Sequence, residues 1–223
     1  MDEKGFLLGM SNRAKVIVRR GRGPPRETED GSQEWITVVE TCCANNTMFP
    51  PMVIYQGKGL YRGWFDADDE YADRTAIFAH SDKGFTTNEL ATRWLVDYFD
   101  PWTRDAADGQ QRLLILDGHR THYSIDFVRY AVKNGITLLS YPGHTTHLLQ
   151  PLDVGLFSPL NKSYGAAAYK YTCETRTGIT KKQFFSFYSQ AKQQAYTKSN
   201  IKAAWRACGI HPFNPDAVLQ PLL

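Results

Sequence analysis

Arg112-Leu-Leu-Ile-Leu-Asp117-Gly118 is a short, continuous apolar run stopped by an acid and a glycine. It is too short for an ordinary helix and lacks polar alternation, so it reads as a strand buried on both faces, with Asp117 at its C-terminal end. Residues 124–134 follow as a helix, with Ser124 as N-cap and Gly135 as C-cap, and Ile136–Tyr141 is another apolar run. Strand, helix and strand in that order form a βαβ unit with a parallel pair.

Outward from this unit, residues 142–151 (PGHTTHLLQP) read as an irregular loop. Pro151 suits the first turn of a helix from Leu152 to about Tyr171, which puts Asp153 in that turn. The segment from Lys181 to Cys208 is helical in character and rich in aromatics. On the other side, Thr87-Asn88-Glu89 opens an amphipathic pattern, carried by Leu90, Trp94, Leu95, Tyr98 and Phe99 and expected to end before Pro101. Further upstream, WITVVETCC (35–43) and MFPPMVIYQ (48–56) are β-rich runs separated by a turn carrying Asn45-Asn46. KVIVRR (15–20) reads as a strand leading into a basic loop, so three antiparallel strands are expected at the front of the domain. Five acids between Asp66 and Asp73 read as a solvated loop, and a short run covers Thr75–Ala79. The sum is an α/β domain with a mixed sheet and an added helical end.

Composition agrees with this. The chain has 223 residues, 42% hydrophobic and 22% charged, which suits one globular domain and excludes disordered, collagen-like and coiled-coil chains. No stretch approaches the roughly 18 apolar residues of a membrane helix, and the acidic start does not suit a signal peptide, so a soluble, intracellular protein is expected. Cys42, Cys43, Cys173 and Cys208 include no Cys-x-x-Cys pair and read as reduced and structural. Residues 1–110 hold 13 Lys and Arg against 18 Asp and Glu, net −5, whereas residues 111–223 hold 13 against 5, net +8. The second half is therefore a candidate polyanion-binding face, and each of its few acids needs a reason.

Asp2, Asp117 and Asp153 are the acids of chemical interest. Carboxylates are hard ligands for Mg²⁺ or Mn²⁺, and two such ions about 4 Å apart can activate a water and stabilise the leaving oxygen in phosphodiester cleavage. Singly, a strand-end Asp is often a turn former and an early helix Asp a cap.

The segments DEKGFLLG (2–9), LLILDGHRTH (113–122), PGHTTHLLQPLDVG (142–155) and WRACGIHPFNP (205–215) occur in one order. Together they resemble the DDE superfamily endonuclease domain, most nearly that of pogo-like transposases of the mariner-type superfamily, found in fungal elements and in relatives of centromere protein B. Thirty-five residues separate Asp117 from Asp153, similar to the family's spacing of its second and third acids. The resemblance implies an RNase H-like fold with a mixed sheet, flanking helices and a helical C-terminal end. Residues 1–175 are then the catalytic domain and 176–223 its helical extension. It implies Asp2 on the first strand, Asp117 at the end of the fourth and Asp153 at the start of a helix. These would bind two Mg²⁺ or Mn²⁺ ions for cleavage of DNA at transposon ends and strand transfer into target DNA. It further implies action in the nucleus and a homo-oligomer on paired ends. Only Met1 precedes Asp2, so the first strand is expected to be truncated, and no helix-turn-helix targeting region is expected in this chain. The alternative function is a catalytically inactive transposase-derived DNA-binding or interaction module, or a decaying transposon remnant.

His119, His122, His144 and His147 form two His-x-x-His pairs beside the acids and read as residues that position them, with a zinc site as the rival reading. Thr145, Thr146 and Gln150 share that loop and suit phosphate contacts or loop bracing. Arg19, Arg20, Arg22, Arg120, Lys162 and Lys170 are the nucleic-acid-binding candidates, with Lys181, Lys182, Lys192, Lys198, Lys202 and Arg206 able to track a backbone alongside them.

Overall fold

The structure, a computed structural model, describes residues 1–8, 34–65 and 76–220. The strand expected over Lys15–Arg20, with Arg19, Arg20 and Arg22, and the acidic stretch Asp66–Asp73 lie outside the described residues.

Strands β1 (Asp2–Leu7), β2 (Trp35–Glu40), β3 (Met52–Gln56) and β4 (Ile77–Ser81) form one sheet in that order. β1 and β2 are antiparallel, with Asp2 opposite Glu40, and so are β2 and β3; β4 adds in parallel to β3, with Ile77 opposite Met52. The front hairpin is thus built with Asp2–Leu7 as its outer strand. The β2–β3 turn falls on Asn45-Asn46 as expected: Asn45 accepts the Thr47 amide at 3.0 Å, and Asn46 takes φ 69°.

The βαβ unit forms as read. β5 (Arg112–Leu116) and β6 (Ile136–Ser140) are parallel, joined by α3 (Ile125–Lys133). Ser124 caps α3 by accepting the Phe127 amide at 3.3 Å, and Gly135 at φ 67° ends it. Asp117 therefore follows the fifth described strand rather than the fourth, because Ile77–Ser81 forms a strand of its own.

Helix α1 (Asn88–Trp94) starts on Thr87, which accepts the Leu90 amide at 3.2 Å. It does not stop before Pro101. A wide turn over Leu95–Phe99 leads into α2 (Asp100–Ala107), with Pro101 in its first turn. Widening the preceding turn by one residue absorbs the donor that proline lacks and its clash with an upstream carbonyl.

After β6 come α4 (Thr146–Leu149), a second wide turn over Leu152–Leu156, and α5 (Phe157–Thr175). Helices α6 (Lys181–Ala195), α7 (Lys198–Ala207) and the short α8 (Asp216–Leu219) close the chain. Alternation along the strands feeds two cores. Val53 and Tyr55, with Phe6, Ile36 and Val38, meet Leu156, Leu160, Phe184, Tyr188 and Trp205 from the C-terminal helices. Met52 and Ile54, with Val39, Leu114 and Leu116, meet Trp94, Leu95, Phe99 and Phe127 on the other side. Helices thus cover both faces of the sheet.

Two expected backbone-tracking lysines are drawn inward instead. Lys181 donates to Glu34 at 2.9 Å and to the Gln56 carbonyl at 2.8 Å, and lies over the Trp64 ring. Lys192 donates to fully buried Glu40 at 2.9 Å. A buried carboxylate left alone would be costly, so these cations serve the interior rather than a surface.

Candidate active site

Three elements converge at the start of β1. The Met1 ammonium donates to the Ile115 carbonyl on β5 at 3.0 Å. Buried Gln150, just before the turn that carries Asp153, reaches the Met1 carbonyl at 3.4 Å. These contacts bring Asp2, the residue after β5 and the entry to α5 to one end of the molecule.

Asp2 is buried, and its carboxylate accepts the Glu3 amide at 2.7 Å. Burial pushes its pKa up to about 7, aided by the negative charges of Asp153 and Asp117 and opposed by the Glu3 amide and the N-terminal ammonium. Asp117 is half-buried. Burial raises its carboxyl, but hydrogen bonds from His122 and the His119 amide outweigh this and hold it below the usual range. His122 Nδ1 donates to Asp117 Oδ1 at 2.8 Å, and the His119 amide donates to the same oxygen at 3.2 Å. His122 is 1% exposed. Burial alone would lower its pKa, yet the hydrogen bond to Asp117 and the nearby Glu3 carboxylate push it up to about 9, which favours the charged ring beside these two acids. Asp153 is exposed, in the wide turn ahead of α5. That turn is held by a close crossing: a Cβ on Gly155 would stand 2.6 Å from Ala204 Cβ on α7.

The other candidates spread around this centre. His119 is exposed and bonds Thr121 Oγ1 at 2.7 Å. His144, at φ 62°, and His147 are exposed on the loop after β6, where the Thr145 hydroxyl donates to the Pro142 carbonyl at 2.8 Å. Gln150 Oε1 has no hydrogen-bond partner. Lys162 and Lys170 are exposed on α5, with Lys170 3.9 Å from Glu174. Of Arg120 only the backbone is described, in the turn that follows Asp117. Sequence reasoning does not single out Glu3, whose Oε1 lies 3.4 Å from His122 Nε2. The available signal is a second carboxylate next to Asp2 on a strand and an HxxH pair after Asp117.

All four cysteines are free, and burial pushes Cys42 up to about 11 and Cys208 to about 12, so these two are not poised as nucleophiles. As placed, no three His, Cys, Asp or Glu side chains among the described residues stand close enough to hold one metal ion. The donor chemistry nevertheless fits a hard divalent cation. Three carboxylates within electrostatic reach raise the proton affinity of the most buried one, and a cation relieves that repulsion.

Residues 32–205 match the family model described as DDE superfamily endonuclease. The chain is 35% identical over 222 residues to a Cochliobolus lunatus protein named MFS-type transporter clz9, covering 99% of this chain and 24% of that protein. It is 33% identical over 169 residues to the Mus musculus pogo transposable element with KRAB domain, covering 74% of this chain and 26% of that one. Against the crystal structure of the Mos1 mariner paired end complex with Mn, the TM-score is 0.50 at 13% identity, over 95% of this chain and 54% of that one. The fold is that of an RNase H-like α/β domain. The chain belongs to the DDE superfamily endonuclease family and is similar in sequence to a pogo transposable element protein. It spans about a quarter of the length of the curated relatives it matches. The transporter name belongs to the longer fungal protein; no helix among the described residues is long and apolar enough to cross a membrane.

Proposed function

We propose that this chain is the catalytic domain of a transposase that cleaves DNA phosphodiesters and transfers strands, with Asp2, Asp117 and Asp153 as ligands for Mg²⁺ or Mn²⁺. One observation carries this reading: three acids from β1, the end of β5 and the entry to α5 interact, so that the charges of Asp153 and Asp117 add to burial in raising Asp2. Bound at such carboxylates, divalent ions supply an activated water and neutralise charge on the phosphoryl group. Asp117, whose carboxyl His122 holds below its usual range, and Asp2, whose ionised form a bound cation would favour, would hold the ions together with Asp153. Lys162 and Lys170, on the helix that Asp153 precedes, suit contact with the DNA backbone, as does the net +8 of residues 111–223. In this reading residues 1–175 form the catalytic part and 176–223 its helical extension, the substrates are transposon ends and target DNA, and the protein works in the nucleus as a homo-oligomer on paired ends.

A catalytically silent DNA-binding or interaction module is the second reading, favoured by the absence of three ligand side chains at ion-holding distance among the described residues. The deciding experiment is Mn²⁺-dependent nicking of supercoiled DNA by the chain and by Asp117→Asn and Asp153→Asn. Nicking by the parent chain, reduced at least about 100-fold in both variants, is expected if the carboxylates hold the cation. Retained nicking in both variants overturns the assignment, and DNA binding with no nicking favours the silent module.

A further inference from the structure

We propose that Glu3 and His122 act together as positioning residues that hold Asp117 in register with Asp2 across the gap between β1 and β5. The inference rests on the reading of Asp117 as a metal ligand.

β1 carries Asp2 and β5 leads into Asp117, yet among the described residues the two strands belong to separate sheets. Elsewhere in the molecule ladders of backbone hydrogen bonds fix the relative positions of neighbouring strands. Near the start of β1 the Met1 nitrogen donates to the Ile115 carbonyl on β5 at 3.0 Å, beside a cavity of about 290 Å³ that Met1, Leu113 and Ile115 help to line.

Side chains complete the span. His122 Nδ1 meets Asp117 Oδ1 at 2.8 Å, and Nε2 faces Glu3 Oε1 at 3.4 Å, an ion-pair distance. Glu3 Oε1 and His122 Nε2 are both buried without a hydrogen-bond partner and face each other as an ion pair, and the ring is 1% exposed, with Phe127 at 6.4 Å between ring centroids. The imidazole therefore has nowhere else to turn. Successive residues on a strand project to opposite sides, so β1 offers the Asp2 carboxylate to the acidic centre and the adjacent Glu3 carboxylate to the histidine that holds Asp117. Carboxylate–histidine pairs behind a ligand fix its orientation, and disturbing them commonly costs about 10- to 100-fold in metal affinity.

The test is Mn²⁺ binding to the purified chain, read from the free-ion electron paramagnetic resonance signal, for the parent, Asp117→Asn, Glu3→Gln, His122→Gln and the Glu3→Gln/His122→Gln pair. Asp117→Asn is expected to lose binding. Glu3→Gln and His122→Gln are each expected to weaken it about 10-fold or more, and the double variant no further than the weaker single one, since both break one path. A role in folding alone would lower metal-free melting without this coupled loss of Mn²⁺ affinity. Parent-like binding by Glu3→Gln, or a double variant whose loss is the product of the single losses, overturns the proposal. If the parent shows no Mn²⁺ binding that Asp117→Asn removes, the metal reading fails and this inference with it. That pattern is distinct from Asp117-dependent binding that ignores Glu3. Should His122→Gln fail to melt cooperatively, Glu3→Gln alone decides.

Discussion

Asp2 and His122 both have their protonated forms favoured by their surroundings in the folded chain. A carboxyl raised from its ordinary value of 3.8 to about 7 keeps its proton in the folded chain where the unfolded chain has lost it. Its contribution to stability is therefore fully present below about pH 4 and disappears as pH rises through about 7. His122, raised from 6.5 to about 9, acts in the same sense in a higher window: its contribution is present below about pH 6.5 and is lost as pH rises through about 9. On the proposed metal reading, a cation at Asp2 would compete with the proton, and Mn²⁺ would bind better once Asp2 is ionised. Mn²⁺ is thus expected to raise the melting temperature more at pH 8 than at pH 5.5, with the pH difference shrinking in Asp2→Asn, as followed by thermal melting at fixed ionic strength.

The packing of α2, β5 and α3 turns on one buried carboxylate. Asp100 has no exposed surface and accepts Arg112 Nη1 at 2.6 Å, the Tyr130 hydroxyl at 2.8 Å and Arg104. Arg112 also donates to the Asn134 carbonyl at 2.6 Å, tying the start of β5 to the end of α3. Burial raises the Asp100 carboxyl, but these donors outweigh it and hold the group below its ordinary range. Asp100→Ala leaves the Arg112 guanidinium, 10% exposed, without its counter-charge, and is expected to destabilise the fold by about 3–5 kcal/mol. Arg104→Ala removes a cation whose side chain is 59% exposed, and a far smaller loss is expected. Urea unfolding of the two variants checks the contrast. The α3 caps and the β2–β3 turn were readable because each is set by residues a few positions apart. Asp100 was not, since an acid beside Pro101 reads as a helix end until Arg112 and Tyr130 are known to face it.

Across the whole molecule, the C-terminal helices are bolted to the sheet by Glu40 on β2, which accepts Lys192 at 2.9 Å and the Tyr188 hydroxyl, both from α6. Lys192→Met strands a fully buried carboxylate, and a loss of about 3–5 kcal/mol in unfolding free energy is expected. The exposed cations behave differently. Lys162→Ala and Lys170→Ala are expected to leave stability within about 0.5 kcal/mol while each reduces the slope of log affinity against log salt for duplex DNA by about 1, measured by fluorescence anisotropy. The sequence by itself determined the βαβ unit, the caps, the Asn-Asn turn and, through motif order, the family, because periodicity, capping and turn chemistry act over short separations. Tertiary structure alone decided that Ile77–Ser81 joins the sheet, that Lys181 and Lys192 turn inward, and that Glu3 faces His122. Those outcomes depend on which distant segments share a neighbourhood, where burial makes a charge seek a partner more than 100 residues away, as Lys192 does Glu40 at a separation of 152.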